Sequence, residues 1–302
     1  MHGTWGTVGA AVSAGKLSNL DAQGFRDLIN ISSCLGLTTS RQTMLEGGTV
    51  RNSYSGISNE LGLRAEQMLR AGFTGEGEGL RTVYGSVISE VFEEHLMTEA
   101  LGERWEIARN YFKMHACCRY NHGSLDALGQ ILAARPDGAL DARRIERIDV
   151  ETYALAAQLC DQSPRNMLAA KFSLPFSLAT AIVNGGADID SFGAEARAEE
   201  VTRALAQRVF VREAAELTAM TPAHRPSRVT VALIDGTVLK AQVLSNKGDT
   251  DDPYSEADLK RKFRDLGELV WGEAHTGQIL ETVLRLETLA DVRELMALLP
   301  GK

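Results

Sequence analysis

The 302-residue sequence predicts a mainly α protein with an α+β second domain. Three observations predict it. The first third holds helical patterns joined by glycine turns and no convincing strand. Asp235-Gly236 separates two β-rich runs, and after Pro253 the spacing of apolar residues is helical again. At about 150 residues per domain the length suits two domains. The texture divides the chain into a helical domain at 1–139, an α+β domain at 140–250 and C-terminal helices at 251–302.

The N-terminal helices follow in order. Thr7 to Leu17 is Ala-rich, with Gly9 and Gly15 placed for close helix packing. Asp21 is a natural N-cap for a helix from Ala22 to Leu35, which Gly36 ends. Thr38 to Gly48 reads as polar loop, Ile57 to Arg70 as helix, and Gly72 to Gly79 as turns.

In the second domain, Arg144 to Thr152 alternates Ile145, Ile148 and Val150 with charges, a half-buried strand with one irregularity. Val209 to Arg212 is a second strand. Arg228 to Ile234 and Thr237 to Val243 flank Asp-Gly, the strongest short-range hairpin signal. Helices fall between, at Phe176 to Asn184 and Ala196 to Gln207. The tail opens with Ser255 as N-cap and Asp258 three residues on, a variant capping box, ahead of Glu256 to Trp271. Gly277 to Arg285 and Leu289 to Leu299 complete it.

Composition excludes several classes. With 32 Lys+Arg against 40 Asp+Glu the net charge is −8, and no basic run argues for nucleic acid or an anionic membrane. An anionic ligand would need a cationic site built locally, against the overall field. No apolar run approaches the ~18 residues of a membrane span, and the first residues do not read as a signal peptide. Cys34, Cys117, Cys118 and Cys160 form no CxxC, so reduced thiols in a cytoplasm are the simplest reading.

Chemistry concentrates in Lys113-Met-His-Ala-Cys-Cys-Arg-Tyr-Asn-His122, followed by Asp126. The segment offers cations for a polycarboxylate and imidazoles that exchange protons near neutral pH. It reads equally as a polar loop leading into a helix that starts near Gly123. Adjacent cysteines are a poor spacing for zinc. A Cys–His nucleophile would need an oxyanion site that the sequence does not show. Gly75-Glu-Gly-Glu-Gly79 would repel phosphate. His224 reads as a surface loop residue, His95 and His275 as exposed helix residues, and Asp249 to Asp252 as a solvated acidic loop.

Five stretches in register resemble the MmgE/PrpD family. They are His2-Gly-Thr-Trp-Gly-Thr-Val-Gly-Ala-Ala11; Val50-Arg-Asn-Ser-Tyr-Ser-Gly56 with Gly72-Phe-Thr-Gly75; the Lys113-to-Asp126 block; Ala170-Lys-Phe-Ser-Leu-Pro-Phe176; and the late markers Asp235-Gly236 and Lys262-Phe263. The resemblance implies a large helical domain plus a smaller α+β domain, with the C-terminal helices returning to the helical domain. It implies a homodimer, without metal or other cofactor, that breaks a bond next to a carboxylate in a small di- or tricarboxylate.

Carried over by position, the resemblance places Lys113, His122 and His2 at catalytic positions and Arg51, Tyr54, Cys118 and Arg119 in the substrate site. Arg51 stands where many members have lysine, and Tyr54 replaces a frequent histidine. Cys118 stands where decarboxylases have histidine and Phe176 where they have tyrosine, which favours a dehydratase of a 2-methylcitrate-like acid or an epimerase of a substituted succinate. Family chains are longer, with further active-site residues ahead of the segment matching His2. Three expectations stay open: a translation start upstream of Met1, a separate polypeptide supplying the N-terminal helices, or a truncated, non-catalytic remnant. Loss of those helices would leave an apolar face exposed.

Overall fold

The computed structural model describes residues 3–299. Helices α1 (Gly6–Leu17), α2 (Ala22–Ser33) and α3 (Tyr54–Arg70) form an N-terminal bundle. Asp21 caps α2 by accepting the Gly24 N–H at 2.8 Å, as its position before the helix predicts. The close packing comes from Gly62, where a β-carbon would sit 2.6 Å from the Thr7 carbonyl, and from Gly15 against Leu28. Gly9, expected to share that role, faces open space. Gly75 lies so close to the Asn30 backbone that a β-carbon would approach it to 2.4 Å, so the glycine-rich turn serves packing against α2. Ala11, Leu28, Ile31 and Ala65 make a small core.

The main core belongs to the second part. Strands β1 (Ile145–Thr152), β2 (Val209–Glu213), β3 (Ser227–Leu233) and β4 (Val238–Val243) form one sheet in the order β2-β1-β3-β4. β1 and β2 are parallel; the other pairs are antiparallel. The Asp-Gly hairpin forms as predicted, with Gly236 at φ +84°. The irregularity in β1 is a register shift between Ile145 and Arg147. It lets Ile145 and Ile148, three apart, both point inward, although strict alternation would send one of them out. Helices α4 (Arg119–Ala133), α5 (Met167–Lys171), α6 (Leu174–Asn184) and α7 (Glu200–Ala206) accompany this sheet. Leu128, Phe176, Leu205, Val229 and Val231 are buried in the shared core.

Several boundaries differ from expectation. The helix expected near Gly123 begins at Arg119. Ala196 to Gln207 is broken at Glu199, whose extended backbone (ψ 122°) ends one short helix and caps the next. The tail forms α8 (Glu256–Trp271) and α9 (Glu273–Leu284), with the full capping box at Ser255 and Asp258. Leu289 to Leu299 shortens to one helical turn at Arg293–Met296. Its end meets His275, which is half-buried and donates from Nε2 to the Leu298 carbonyl at 2.7 Å rather than facing solvent. Among the described residues no helix is long and apolar enough to cross a membrane.

Candidate functional site

The segment before α4 is fixed through its backbone. Phe112 N–H donates to Gly248, Ala116 N–H to Ala187 and Cys118 N–H to Lys171, at 2.9, 2.7 and 2.8 Å. Asn121, on the first turn of α4, reaches across to Ser177 Oγ at 2.9 Å and to the Ser173 carbonyl at 3.3 Å. A loop held at so many points presents its side chains in one arrangement. Lys113 turns into a cavity of about 1180 Å³, where its ammonium donates to the Cys117 carbonyl at 3.3 Å.

Six cationic side chains line that cavity, and they come from distant segments. Arg51 arrives from the turn before α3, Lys113 from the loop before α4 and Lys171 from α5. Arg197 comes from the short helix before α7, and Arg261 and Lys262 from α8. Three carboxylates, Asp188, Asp190 and Asp265, share the walls. Asp188 is occupied by the N–H and hydroxyl of Ser191, which hold its carboxyl below the usual range. Arg261 pairs with Asp258 at 2.9 Å. Among the described residues the other five cations form no ion pair. Arg51 instead lies 5.5 Å over the Phe172 ring with its buried Nε unpartnered. Lys262 donates to the Lys113 carbonyl, and burial followed by the Lys113 charge depresses its pKa.

The expected site residues divide. Arg51, Lys113 and Cys118 meet in the cavity. The Cys118 thiol is pushed up by burial, so it lines the wall as a neutral group. His122 is 1% exposed and lies behind the lining, with neither ring nitrogen hydrogen-bonded. Burial, then the charges of His115 and Lys113, lowers its pKa to about 3. Arg119 does not reach the cavity: it is buried, forms an ion pair with Asp249 and stacks over Tyr111 at 3.8 Å. That pairing also corrects the reading of Asp249 as a solvated loop residue. Tyr54, half-buried at the start of α3, packs by its backbone against Gly3 and does not line the cavity. Phe176 is buried against Phe192 at 6.0 Å. His2 lies outside the described residues.

Sequence reasoning misses Lys171, Arg197 and Arg261 and treats Lys262 only as a marker. Lys171 stands inside the quoted Ala170-to-Phe176 block and Lys262 inside the late pair, so lone basic residues in those stretches were the available signal. Among the described residues no group of three or more His, Cys, Asp or Glu is placed to hold a metal ion.

The model of the MmgE/PrpD C-terminal domain matches residues 115–288, more than half of the chain. The chain belongs to the MmgE/PrpD family. Its cationic loop therefore stands at the start of the family's C-terminal domain, with Lys113 just ahead of the matched residues. The chain is similar to a cis-aconitate decarboxylase-like protein, oryM, of Aspergillus oryzae, at 25% identity over 99% of this chain and 64% of that protein. It is also similar to cis-aconitate decarboxylases of Aspergillus terreus, at 22% identity over 98% of this chain and 63% of theirs. This MmgE/PrpD chain thus spans a little under two thirds of the length of these curated relatives.

Proposed function

We propose that this MmgE/PrpD chain is a lyase acting as a hydro-lyase on a 2-methylcitrate-like small polycarboxylate, by removal of a proton next to a carboxylate. One observation carries the reading: a chain of net charge −8 gathers six cations against three carboxylates around one cavity, and among the described residues five of the cations form no ion pair. Cations held partly out of water without a counter-charge are costly unless an anion completes them. Several such groups suit a ligand with two or three carboxylates.

The chemistry follows from that charge. Removing a Cα proton puts a second negative charge onto the neighbouring carboxylate, and fixed cations stabilise that enediolate more than the ground state. The electron pair then forms the alkene as the β-hydroxyl leaves as water. In this reading Lys113 and Arg51 hold carboxylate and developing charge, Cys118 shapes the wall as a thiol, and neutral His122 supports the site from behind. A homodimeric, cytoplasmic enzyme completes the proposal.

A second reading, a decarboxylase, is favoured by the names of the Aspergillus relatives. The same cations would stabilise the carbanion left by loss of CO₂. Incubating the chain with 2-methylcitrate, citrate and cis-aconitate in deuterated water, followed by NMR, separates the two. Water loss or addition supports the hydro-lyase, and CO₂ release supports the decarboxylase. Deuterium exchange without either marks an epimerase. No change in any acid would sink the lyase reading.

A further inference from the structure

Among the described residues His115 is the one imidazole that lines the cavity. Its Nε2 stands 3.6 Å from Oδ1 of Asp126, and the two side chains are 27% and 20% exposed. Asp126 is held in turn, its Oδ2 accepting the Lys247 N–H at 2.8 Å. The His122 ring packs edge-on against His115, with centroids 5.0 Å apart and planes at 76°. His115 is therefore packed against a second ring and faced by a carboxylate just beyond hydrogen-bond distance, two residues from Lys113. A carboxylate facing one ring nitrogen selects the tautomer with the proton on that side and leaves the other nitrogen as an acceptor. Among the described residues neither ring nitrogen of His115 makes a hydrogen bond, and it is Nε2 that the Asp126 carboxylate faces.

His122, Cys118 and the arginines are less suited. His122 is buried, absent from the lining and held neutral by its surroundings. Cys118 is a thiol whose ionisation burial opposes. Arg51, Arg197 and Arg261 do not give up protons.

We propose that His115 is the proton-transferring residue of this site, oriented by Asp126 and acting through Nδ1 on a Cα–H of the bound polycarboxylate. The proposal rests on the lyase reading above. Nδ1 takes the proton, and the C–H electron pair passes into the carboxylate held beside Lys113. The imidazolium then returns the proton, either to the same carbon or to the departing hydroxyl, which leaves as water. His115 ends each cycle neutral. Asp126 is a positioning residue, since it works through the imidazole.

The test uses the full 302-residue chain and tricarballylate, a tricarboxylate with no hydroxyl to lose. In ¹⁵N NMR the wild type should show His115 protonated on Nε2, and tricarballylate should move the His115 signals while leaving those of exposed His95 in place. His115→Gln should keep tricarballylate affinity within about threefold and slow Cα–H exchange on the turned-over acid at least about 100-fold, the scale of a lost acid–base group. His115→Gly should regain exchange when imidazole is added. Asp126→Asn should mix the His115 tautomers and slow exchange, with Asp126→Glu restoring part of both. If tricarballylate binds while His115 stays unmoved, or if His115→Gln exchanges as fast as wild type, the assignment is overturned and the lyase reading stands. If tricarballylate does not bind at all, both fall together.

Discussion

The ammonium of Lys262, on α8, donates to the backbone carbonyl of Lys113, 149 residues earlier in the chain. The bond fastens the C-terminal helices to the loop that carries the cationic cluster, and it sets two like charges against one cavity. Such a pair is favourable only when an anion joins it, since burial and the Lys113 charge both disfavour protonated Lys262. Lys262→Met should weaken tricarballylate binding by about tenfold, roughly the 1.4 kcal/mol expected of one lost charge-assisted contact. Calorimetric titration of the two proteins measures it, and equal affinities would remove Lys262 from the site.

His122 makes stability depend on pH. Its pKa falls from an ordinary 6.5 to about 3 on folding. Between those values the unfolded chain binds a proton that the folded chain refuses, so its contribution to stability falls as pH drops from 6.5 towards 3. The slope for one proton is at most about 1.4 kcal/mol per pH unit. Replacing His122 with Gln removes the titrating group. Urea unfolding at pH 7, 6 and 5 should show a shallower loss in His122→Gln than in wild type, and parallel slopes would contradict the buried, neutral imidazole.

The Arg119–Asp249 ion pair links the first turn of α4 to the loop after β4, with side-chain exposures of 8% and 20%. Removing Asp249 leaves the Arg119 charge out of water without a carboxylate, whereas removing Arg119 leaves Asp249 with Arg225 at 3.9 Å. Asp249→Asn should cost about 3 kcal/mol, and Arg119→Met less. The double variant should cost clearly less than the sum, because neither charge is then stranded. Additive losses in denaturant unfolding would show that the two groups act independently.

Features set by local chemistry were legible in the sequence. Asp235-Gly236 forced its hairpin, Asp21 and Ser255 capped their helices, and the spacing of Ile145, Ile148 and Val150 disclosed the register shift in β1. Features set by distant partners were not. Nothing near Glu199 signals a helix break, and nothing near Arg119 signals that Asp249, 130 residues on, takes its charge. The dense Lys113-to-Asp126 run marked a stretch that lines the cavity but could not rank its members. Whether a side chain faces the cavity, as Lys113 and His115 do, or the interior, as His122 does, depends on where α4 starts and on the bonds to Ala187 and Lys171. The cations that complete the cavity come from five segments, and only folding assembles them.

The proposed lyase stands or falls with the binding of a polycarboxylate beside Lys113 in this cavity of an acidic chain. Calorimetric titration of the 302-residue chain with tricarballylate, against Lys113→Ala, tests it most directly. Titration should give one site per chain, binding that weakens as salt is raised, and an affinity at least about tenfold lower in Lys113→Ala. Absence of binding to the wild type, or equal binding by Lys113→Ala, would contradict it.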